Sequence, residues 1–438
     1  MNHITQNPHI QPLPTPADSG RTVTVSGMIY KIRRMSGFAF LLLQTGETLI
    51  QCVWSPDTSA FPGESLHPLR EQSAVTITGV VKEDARVRGG FEVHLVSLTV
   101  LSAPAEPAPV VINGRNGLPM ETDLSHRPFA LRREETRAVF RIQAALSEGC
   151  AEFFSQNGFV AIHTPKICAG TAESGAGVFP VDYFGRDAFL ATTPQLYKQM
   201  MTGVFGRVYE IGPVFRAEPH DTARHLNEYT GIDCEVGFVT DVRELMEIEC
   251  AMLTHALAYS AEHAAASMQL LGITLPDTRE IPAIPFADAK AILAENGTPG
   301  EENDLSPAEE KALCAHAHKV WHSDFVFVTE YPTVKRPFYA KENAENPLVT
   351  ESFDLLFRGM EITTGGLRIH NFHEQVAKMR RCGIDPDAFS DYLSAHKNGL
   401  PPHGGFGVGL ERLCACLCGF DNVRHASLFP RDVKRLTP

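Results

Sequence analysis

The chain has no apolar run of the roughly 18 residues that a membrane-spanning helix needs. Its first nineteen residues are polar and proline-rich, with neither a basic start nor an apolar stretch, so they lack the pattern of a secretory signal peptide. These absences predict a protein without a membrane segment and with a disordered tail over residues 1–19.

The ten cysteines lack the paired spacing of a zinc site. Cys414, Cys416 and Cys418 alternate within LERLCACLCGF, whereas zinc sites usually separate two cysteines by about two to four residues and need a second pair. The segment is more typical of an apolar helix in which small thiols fill the core. Without a secretory signal, so many cysteines indicate reduced thiols and a cytoplasmic protein.

No glycine-rich phosphate loop is present, because G-x-x-x-x-G-K-[ST] is absent and no G-x-G-x-x-G opens a β-α-β unit. Any nucleotide must therefore be held by side chains. Residues 210–235 place Arg216, Glu218, Arg224 and His225 within ten residues, around a chain reversal. A guanidinium can meet phosphate oxygens through two hydrogen bonds, and a carboxylate on the same strand face can accept from an exocyclic amine. This hairpin is a candidate ATP site.

Five alternating apolar segments predict a small β-barrel near the N-terminus. They are rich in Val, Ile, Thr and Phe, are broken by glycine-containing turns, and span residues 21–32, 37–44, 47–54, 73–82 and 90–101. Five short strands suit an OB-fold, the commonest barrel of this size that binds oligonucleotides, or an SH3-like barrel. The proline- and alanine-rich segment that follows predicts a linker over residues 103–128, between domains at 20–102 and 129–438.

The rest of the chain predicts an α+β domain. An amphipathic helix begins near Leu131 and ends at Asn157-Gly158, and the short strand FVAIHTPKI follows it. Further strands occur from about residue 188, with helices between them, notably the acidic, alanine-rich residues 244–271. Strands that are mostly adjacent along the chain indicate a mainly antiparallel sheet flanked by helices.

Three segments resemble aspartyl-tRNA synthetases: RHLNEYTGIDCE at residues 224–235, PQLYKQ at 194–199 and LFPRDVKRLTP at 428–438. The hairpin at 210–235 resembles motif 2 of the class II aminoacyl-tRNA synthetases. The likeness implies an OB-fold anticodon-binding domain, a class II catalytic domain and a homodimer formed through motif 1, the helix and strand described above. On pattern alone, an ordinary core helix is the alternative reading of that helix.

The likeness implies an aspartate–tRNA ligase that forms aspartyl-adenylate from L-aspartate and ATP and charges the 3′ end of tRNA(Asp). Charge builds on phosphate oxygens during such a reaction, so placed cations matter more than acid or base. The implied catalytic residues are Arg216, Arg412 and Glu361; Glu361 would bind Mg²⁺, with Thr364 as a second candidate metal ligand. The implied ATP-binding residues are Arg216, Glu218, Arg224, His225, Leu226, Glu361, Gly409, Leu410, Glu411 and Arg412.

Lys198 and Arg368 match the positions that hold the substrate side chain in aspartyl enzymes. Two cations suit aspartate, and asparagine would leave buried charges unpaired. The implied aspartate-binding residues are Glu173, Gln195, Lys198, Arg216, Asp233, Thr364 and Arg368. Only 125 residues separate Glu235 from Glu361, which indicates the archaeal and eukaryotic type of enzyme. An asparaginyl-tRNA synthetase and a synthetase paralogue that does not charge tRNA are the alternatives.

Phe40, Gln51 and Glu92 match the positions that stack on and hydrogen-bond an anticodon base in the family. Phe40 alone could instead be a barrel core residue. Tyr30 and Arg88 lie where the third anticodon base would be sensed, and they do not decide whether tRNA(Asn) is a second substrate. The net charge of −13 does not exclude tRNA, because residues 21–101 hold eight Lys or Arg and seven Asp or Glu, and a local basic face suffices.

Overall fold

The computed structural model describes residues 13–46, 48–114, 116–169, 177–298 and 300–438. It divides the chain into two compact units, Met1–Arg133 and Glu134–Pro438. All ten cysteines are free thiols, and every helix in the described ranges is too short or too polar to span a bilayer. Of the predicted tail, residues 1–12 lie outside the described ranges, and Pro16–Asp18 form a short 3-10 turn.

The first unit is a closed five-stranded barrel with the strand order β1-β2-β3-β5-β4. Inward-facing side chains such as Leu41, Leu43 and Val93 are fully buried, and they alternate with outward-facing residues. This confirms the predicted barrel. Its strands are β1 (Thr22–Arg34), β2 (Ala39–Thr45), β3 (Thr48–Trp54), β4 (Ala74–Glu83) and β5 (Phe91–Ser102). The helix α1 (Met120–Ser125) lies within the predicted linker, whereas α2 (Arg127–Ala130) extends past its predicted end at residue 128.

The second unit contains an eight-stranded mixed sheet with helices on its faces and a separate three-stranded sheet. The helices of this unit are α3 (Glu134–Gln156), α4 (Gln195–Phe205), α5 (Val242–His263), α6 (Ala265–Leu271), α7 (Phe286–Glu295), α8 (Pro307–His316), α9 (Phe372–Arg381), α10 (Ser390–Lys397) and α11 (Leu410–Leu417). The strands are β6 (Val160–Ala161), β7 (Ile167–Cys168), β8 (Pro180–Tyr183), β9 (Arg186–Leu190), β10 (Arg207–Phe215), β11 (Glu228–Gly237), β12 (Ala283–Pro285), β13 (Phe325–Thr329), β14 (Ser352–Phe357), β15 (Met360–Arg368) and β16 (His403–Gly409).

The large sheet has the strand order β12-β13-β14-β15-β16-β11-β10-β6, and its pairs are antiparallel except β12 with β13 and β6 with β10. This confirms the mainly antiparallel α+β prediction. The helices α3, α5 and α11 contribute apolar side chains to one core with the sheet. Cys414 and Cys416 are buried there within α11, as expected for thiols that fill a core.

Glu249 of α5 is fully buried, and none of the described cations forms an ion pair with it. Burial raises the pKa of its carboxyl to about 8; Thr363 lowers it, while Asp354 raises it further. The native state therefore keeps a proton that the unfolded chain releases near its ordinary pKa of 4.5. Stability linked to this group is complete at low pH and is lost as pH rises from about 4.5 towards 8.

Glu249→Gln is accordingly expected to raise the free energy of unfolding at pH 9 by about 2–5 kcal/mol and to change it little at pH 5, because glutamine cannot ionise. Urea unfolding at both pH values measures this effect. Glu247→Gln, at an exposed position of the same helix, is the matched control. An equal change at both pH values would contradict the assignment.

Candidate active site

A cavity of about 650 Å³ lies in the second unit and is lined by residues of β11, β15, β16 and the loop after β10. It brings together nearly all residues predicted to bind ATP or aspartate. Glu173 lies outside the described residues, and Leu410 packs into the core instead of lining the cavity. The predicted residues in its wall are Gln195, Lys198, Arg216, Glu218, Arg224, His225, Leu226, Asp233, Glu361, Thr364, Arg368, Gly409, Glu411 and Arg412.

The loop between β10 and β11 is held by Asn227, a residue that the sequence reasoning did not select. Its side-chain amide donates to the carbonyl oxygens of Arg216 at 2.6 Å and Glu218 at 3.2 Å. The backbone amide of Arg216 in turn donates to the Asn227 carbonyl at 2.9 Å. The guanidinium of Arg216 lies 5.8 Å from the ring centroid of Tyr229. The loop is therefore fixed in a shape that presents Arg216 to the cavity.

Glu361 and Arg412 meet at one end of the cavity. Arg412 Nη1 donates to the Glu361 carbonyl at 2.9 Å and lies 3.6 Å from Glu361 Oε1. The hydroxyl of Thr364 donates to the same carboxylate at 3.1 Å. Leu410, on α11 just before Arg412, anchors this segment in the core.

Further carboxyl groups lie near Glu361. Burial, followed by the charge of the Glu361 carboxylate, raises the pKa of Glu310 to about 7. Burial also raises the pKa of Asp354 to about 6; Arg336 opposes this shift, and the Glu361 carboxylate adds to it. Crowded carboxylates of this kind fit a hard divalent cation. No group of three or more His, Cys, Asp or Glu side chains placed to hold a metal ion occurs in the described ranges.

Lys198 and Arg368 lie at the other end of the cavity, and both are buried. Lys198 Nζ donates to Asp233 Oδ1 at 2.8 Å and lies 3.5 Å from Glu235 Oε2. Arg368 Nε donates to Glu235 Oε1 at 3.0 Å. The cations and carboxylates thus alternate. Both cations have carboxylate partners within the protein, which the sequence reasoning did not foresee.

Glycines on both sides of Asp233 leave room for its carboxylate. A Cβ at Gly231 would lie 2.8 Å from Asp233 Oδ2, and a Cβ at Gly407 would lie 3.0 Å from Oδ1. Either contact would displace the group that holds Lys198. Gly231 of β11 and Gly407 of β16 therefore keep the space that the Asp233 carboxylate occupies.

Two predicted ATP-binding residues, His225 and Glu411, have different hydrogen-bond partners in the structure. His225 Nδ1 is 2.6 Å from the Thr222 hydroxyl, and burial followed by Arg412 lowers the pKa of His225, which favours the neutral ring. Glu411 instead accepts from the backbone amide of Thr230 at 3.0 and 3.1 Å, and burial raises its pKa to about 7. Glu411 therefore fixes β11 to the start of α11.

In the first unit, three predicted residues lie on the outward-facing side of the barrel, and two of them are in contact. Gln51 Nε2 donates to Glu92 Oε2 at 2.9 Å, and Phe40 packs edge-on against Phe38 with ring centroids 5.3 Å apart. Phe40 is half-buried on the outside of β2, so it does not belong to the barrel interior.

The two residues selected for the third anticodon base differ in exposure. Tyr30 is buried against Leu49 and Ile112 and donates its hydroxyl to the Ile112 carbonyl at 3.2 Å. Arg88 is exposed in the turn between β4 and β5. A direct contact between Tyr30 and a base would require this packing to open.

The family described as "tRNA synthetases class II (D, K and N)" matches residues 119–433. The chain belongs to this family. Residues 23–101 of the synthetase match "OB-fold nucleic acid binding domain", which decides between the two barrels that the strand pattern left open.

The synthetase resembles aspartate enzymes over nearly its whole length. It is 43% identical over 424 residues to "Aspartate--tRNA(Asp/Asn) ligase" of Thermus thermophilus, covering 96% of this chain and 98% of that protein. It is 36% identical over 426 residues to "Aspartate--tRNA(Asp) ligase" of Thermococcus kodakarensis, covering 96% and 97%.

The structure also resembles solved structures of both asparaginyl-tRNA and aspartyl-tRNA synthetases. Asparaginyl-tRNA synthetase from Pyrococcus horikoshii, complexed with asparaginyl-adenylate, gives a TM-score of 0.89 at 28% identity and covers 97% of this chain and 98% of that chain. Aspartyl-tRNA synthetase from Entamoeba histolytica gives 0.84 at 28% identity and covers 97% and 91%. Similarity of fold therefore does not separate the two specificities.

The sequence reasoning missed Asp354 in the wall of the synthetase's cavity and three buried residues outside its lining, Glu235, His403 and Glu310. Glu235 was detectable, because it stands two residues after Asp233 on one strand and therefore shares its face. His403, whose Nε2 lies 3.2 Å from Gln199 Oε1, carries a pKa lowered to about 4 by burial. Asp354 and Glu310 have no local sequence signal, since only the fold brings them near Glu361.

Proposed function

We propose that the protein is an aspartate–tRNA ligase, which activates L-aspartate with ATP and transfers it to the 3′ end of tRNA(Asp). One observation carries the proposal: a single cavity holds Arg216, Arg412 and Glu361 at one side and the Lys198–Arg368 network at the other. The first set suits a polyphosphate, and the second suits a small dicarboxylate.

In the first step, an α-carboxylate oxygen of aspartate attacks the α-phosphorus of ATP, and the bond to the pyrophosphate oxygen breaks. Arg216 would stabilise the negative charge that builds on the phosphate oxygens, and Arg412 would bind the far end of the polyphosphate. Glu361 with Asp354 would hold Mg²⁺, which neutralises phosphate charge. In the second step, a hydroxyl of the terminal ribose of tRNA attacks the aspartyl carbonyl and AMP leaves.

The amino acid end of the cavity favours aspartate through donors that remain after internal pairing. A guanidinium has five N–H donors, and Arg368 uses Nε for Glu235 and Nη2 for the Gly405 carbonyl at 2.9 Å. The remaining donors suit the side-chain carboxylate of aspartate. The amide nitrogen of asparagine would instead bring N–H groups against N–H groups.

We assign the remaining predicted residues to the same reaction. Glu173 is proposed to bind the α-ammonium group of aspartate, and Thr364 is a second candidate ligand for Mg²⁺. Arg224 and His225 are proposed to support the phosphate chain, and Glu218 to accept from the adenine amine.

We further propose a cytoplasmic homodimer formed through α3 and β6. Sedimentation velocity measures the mass of the particle in solution, and a monomer at micromolar concentration would contradict the dimer.

Charging of labelled aspartate onto separate tRNA(Asp) and tRNA(Asn) transcripts tests the proposal, with labelled asparagine in parallel. Aspartate on tRNA(Asp) alone would define a strict enzyme, and aspartate on both would define a non-discriminating one. Asparagine on tRNA(Asn) would identify the rival asparaginyl enzyme, and no charging of any tRNA would indicate a paralogue without this activity.

Phe40→Ala is expected to lower kcat/KM for tRNA(Asp) by about 10- to 100-fold, since stacking a base on an aromatic ring contributes about 1–3 kcal/mol. Aspartate-dependent pyrophosphate exchange should stay unchanged, because that reaction needs no anticodon. Phe61→Ala, a partly buried aromatic of the same barrel outside the predicted base-binding set, is the control. Equal losses in both variants would contradict a stacking role for Phe40.

A further inference from the structure

Glu310 lies near the start of α8, in the segment between the β10–β11 hairpin and β15. The neighbouring Glu309 is used locally: it completes the capping box with Ser306 and pairs with Lys290. Glu310 points elsewhere, and its side chain is 7% exposed. Its carboxylate forms an ion pair with Arg224 of the hairpin loop.

One oxygen of Glu310 also reaches β15. Glu310 Oε2 accepts from the Arg224 guanidinium and from the backbone amide of Glu361, the latter at 2.6 Å. Glu361 stands at a β-bulge, because Leu355 pairs with Thr363 whereas Leu356 pairs with Glu361. Bulges re-aim side chains beside functional sites, and their backbone groups need other partners. Glu310 supplies that partner.

The backbone of Glu361 is therefore held on both sides. Its amide donates to Glu310, and its carbonyl accepts from Arg412 Nη1 at 2.9 Å. Two cations that line the cavity are thus tied to one bulged residue: Arg224 through the buried Glu310 carboxylate, and Arg412 directly through the Glu361 carbonyl. A carboxylate placed for α8 stability alone would have no need of these contacts.

We propose that Glu310 is a positioning residue of the nucleotide site, which fixes the bulged backbone of Glu361 and orients Arg224 towards the phosphates of ATP. The inference rests on the proposed function, because it requires ATP as the ligand. Glu310 is not among the residues that line the cavity, so it acts through Arg224 and Glu361. It gives the α7–α8 segment a role in the active site.

Aspartate-dependent pyrophosphate exchange by Glu310→Ala and Glu310→Gln tests this role, with ATP and aspartate varied separately. Glu310→Ala is expected to raise KM for ATP by about tenfold or more, because a hydrogen bond to a charged group is lost, while KM for aspartate changes by less than about threefold. Glu310→Gln keeps an acceptor for the Glu361 amide and should recover part of the loss. Glu309 lies next to Glu310 on α8, and Glu309→Gln weakens its pair with Lys290 of α7; this variant should leave both constants unchanged.

The coupling with Arg224 supplies the decisive comparison. If Glu310 acts through Arg224, the double variant Arg224→Ala, Glu310→Ala should lose little more than Arg224→Ala alone. Full additivity, or equal losses for both substrates, would overturn the proposal. If Glu310→Ala does not fold, an unchanged KM for ATP in folded Glu310→Gln would overturn it. Wild-type protein without exchange activity would instead overturn the proposed function, and this inference with it.

Discussion

Arg216→Ala is expected to abolish aspartate-dependent pyrophosphate exchange, lowering kcat by about 10³-fold or more, since a placed cation at a developing phosphate charge is among the largest catalytic contributions. Arg216 follows β10 directly and lines the cavity. Asn227 fixes its backbone, so the guanidinium is held in place before the substrates arrive. Alanine removes this charge and leaves nothing in the same position to replace it.

Arg243→Ala is the matched control for this prediction, because Arg243 is an exposed arginine of α5 whose side chain bonds only to Asp241 at the helix start among the described hydrogen bonds. Both variants should retain the free energy of unfolding of the parent protein within about 1 kcal/mol. Exchange by folded Arg216→Ala within about tenfold of the parent rate would remove Arg216 from the catalytic set.

Much of the fold was predictable because its determinants are local. The barrel strands were found from the alternation of apolar and polar residues, and their observed bounds agree with the predicted segments to within about two residues. In the second unit, β14 and β15 are joined at Arg358 and Gly359, whose φ angles are 46° and 94°. Arginine rarely adopts a positive φ, so the composition did not signal this turn.

The candidate site was predictable in part, through residues that keep a fixed spacing on one hairpin or strand. Arg216, Glu218 and Arg224 share a loop, and Glu361 and Arg412 were found from the family resemblance. The partners that set their orientation come from distant parts of the chain: Glu310 lies 86 residues from Arg224. No periodicity or motif records such a contact, because only the folded sheet brings the two segments together.

The pairing of charges within the cavity is the largest revision to the expected chemistry. Lys198 and Arg368 meet Asp233 and Glu235 before any substrate arrives, so the protein does not bury unbalanced positive charge. The side-chain carboxylate of aspartate must then either compete with Asp233 and Glu235 for the N–H donors of Lys198 and Arg368, or bind donors that these carboxylates leave unused. Selectivity consequently depends on the whole network, and each cation also fixes the carboxylates around it.

Lys198→Ala is the prediction that tests this network. We expect kcat/KM for aspartate to fall by about 10³-fold or more, because the variant loses a charged donor and leaves Asp233 without its ammonium partner, while KM for ATP changes by less than about threefold. Pyrophosphate exchange with each substrate varied in turn measures both constants. Equal losses for aspartate and ATP would count against a role for Lys198 at the amino acid end.

Lys166→Ala is the matched control, since Lys166 pairs with the buried Glu210 at 2.9 Å but does not line the cavity. Removing either lysine leaves a buried carboxylate, so a loss caused only by general destabilisation should appear in both variants. A loss confined to Lys198→Ala would assign the effect to substrate recognition. The preference for aspartate over asparagine should fall in the same variant, because the remaining network carries a net negative charge that repels a second carboxylate but not a neutral amide.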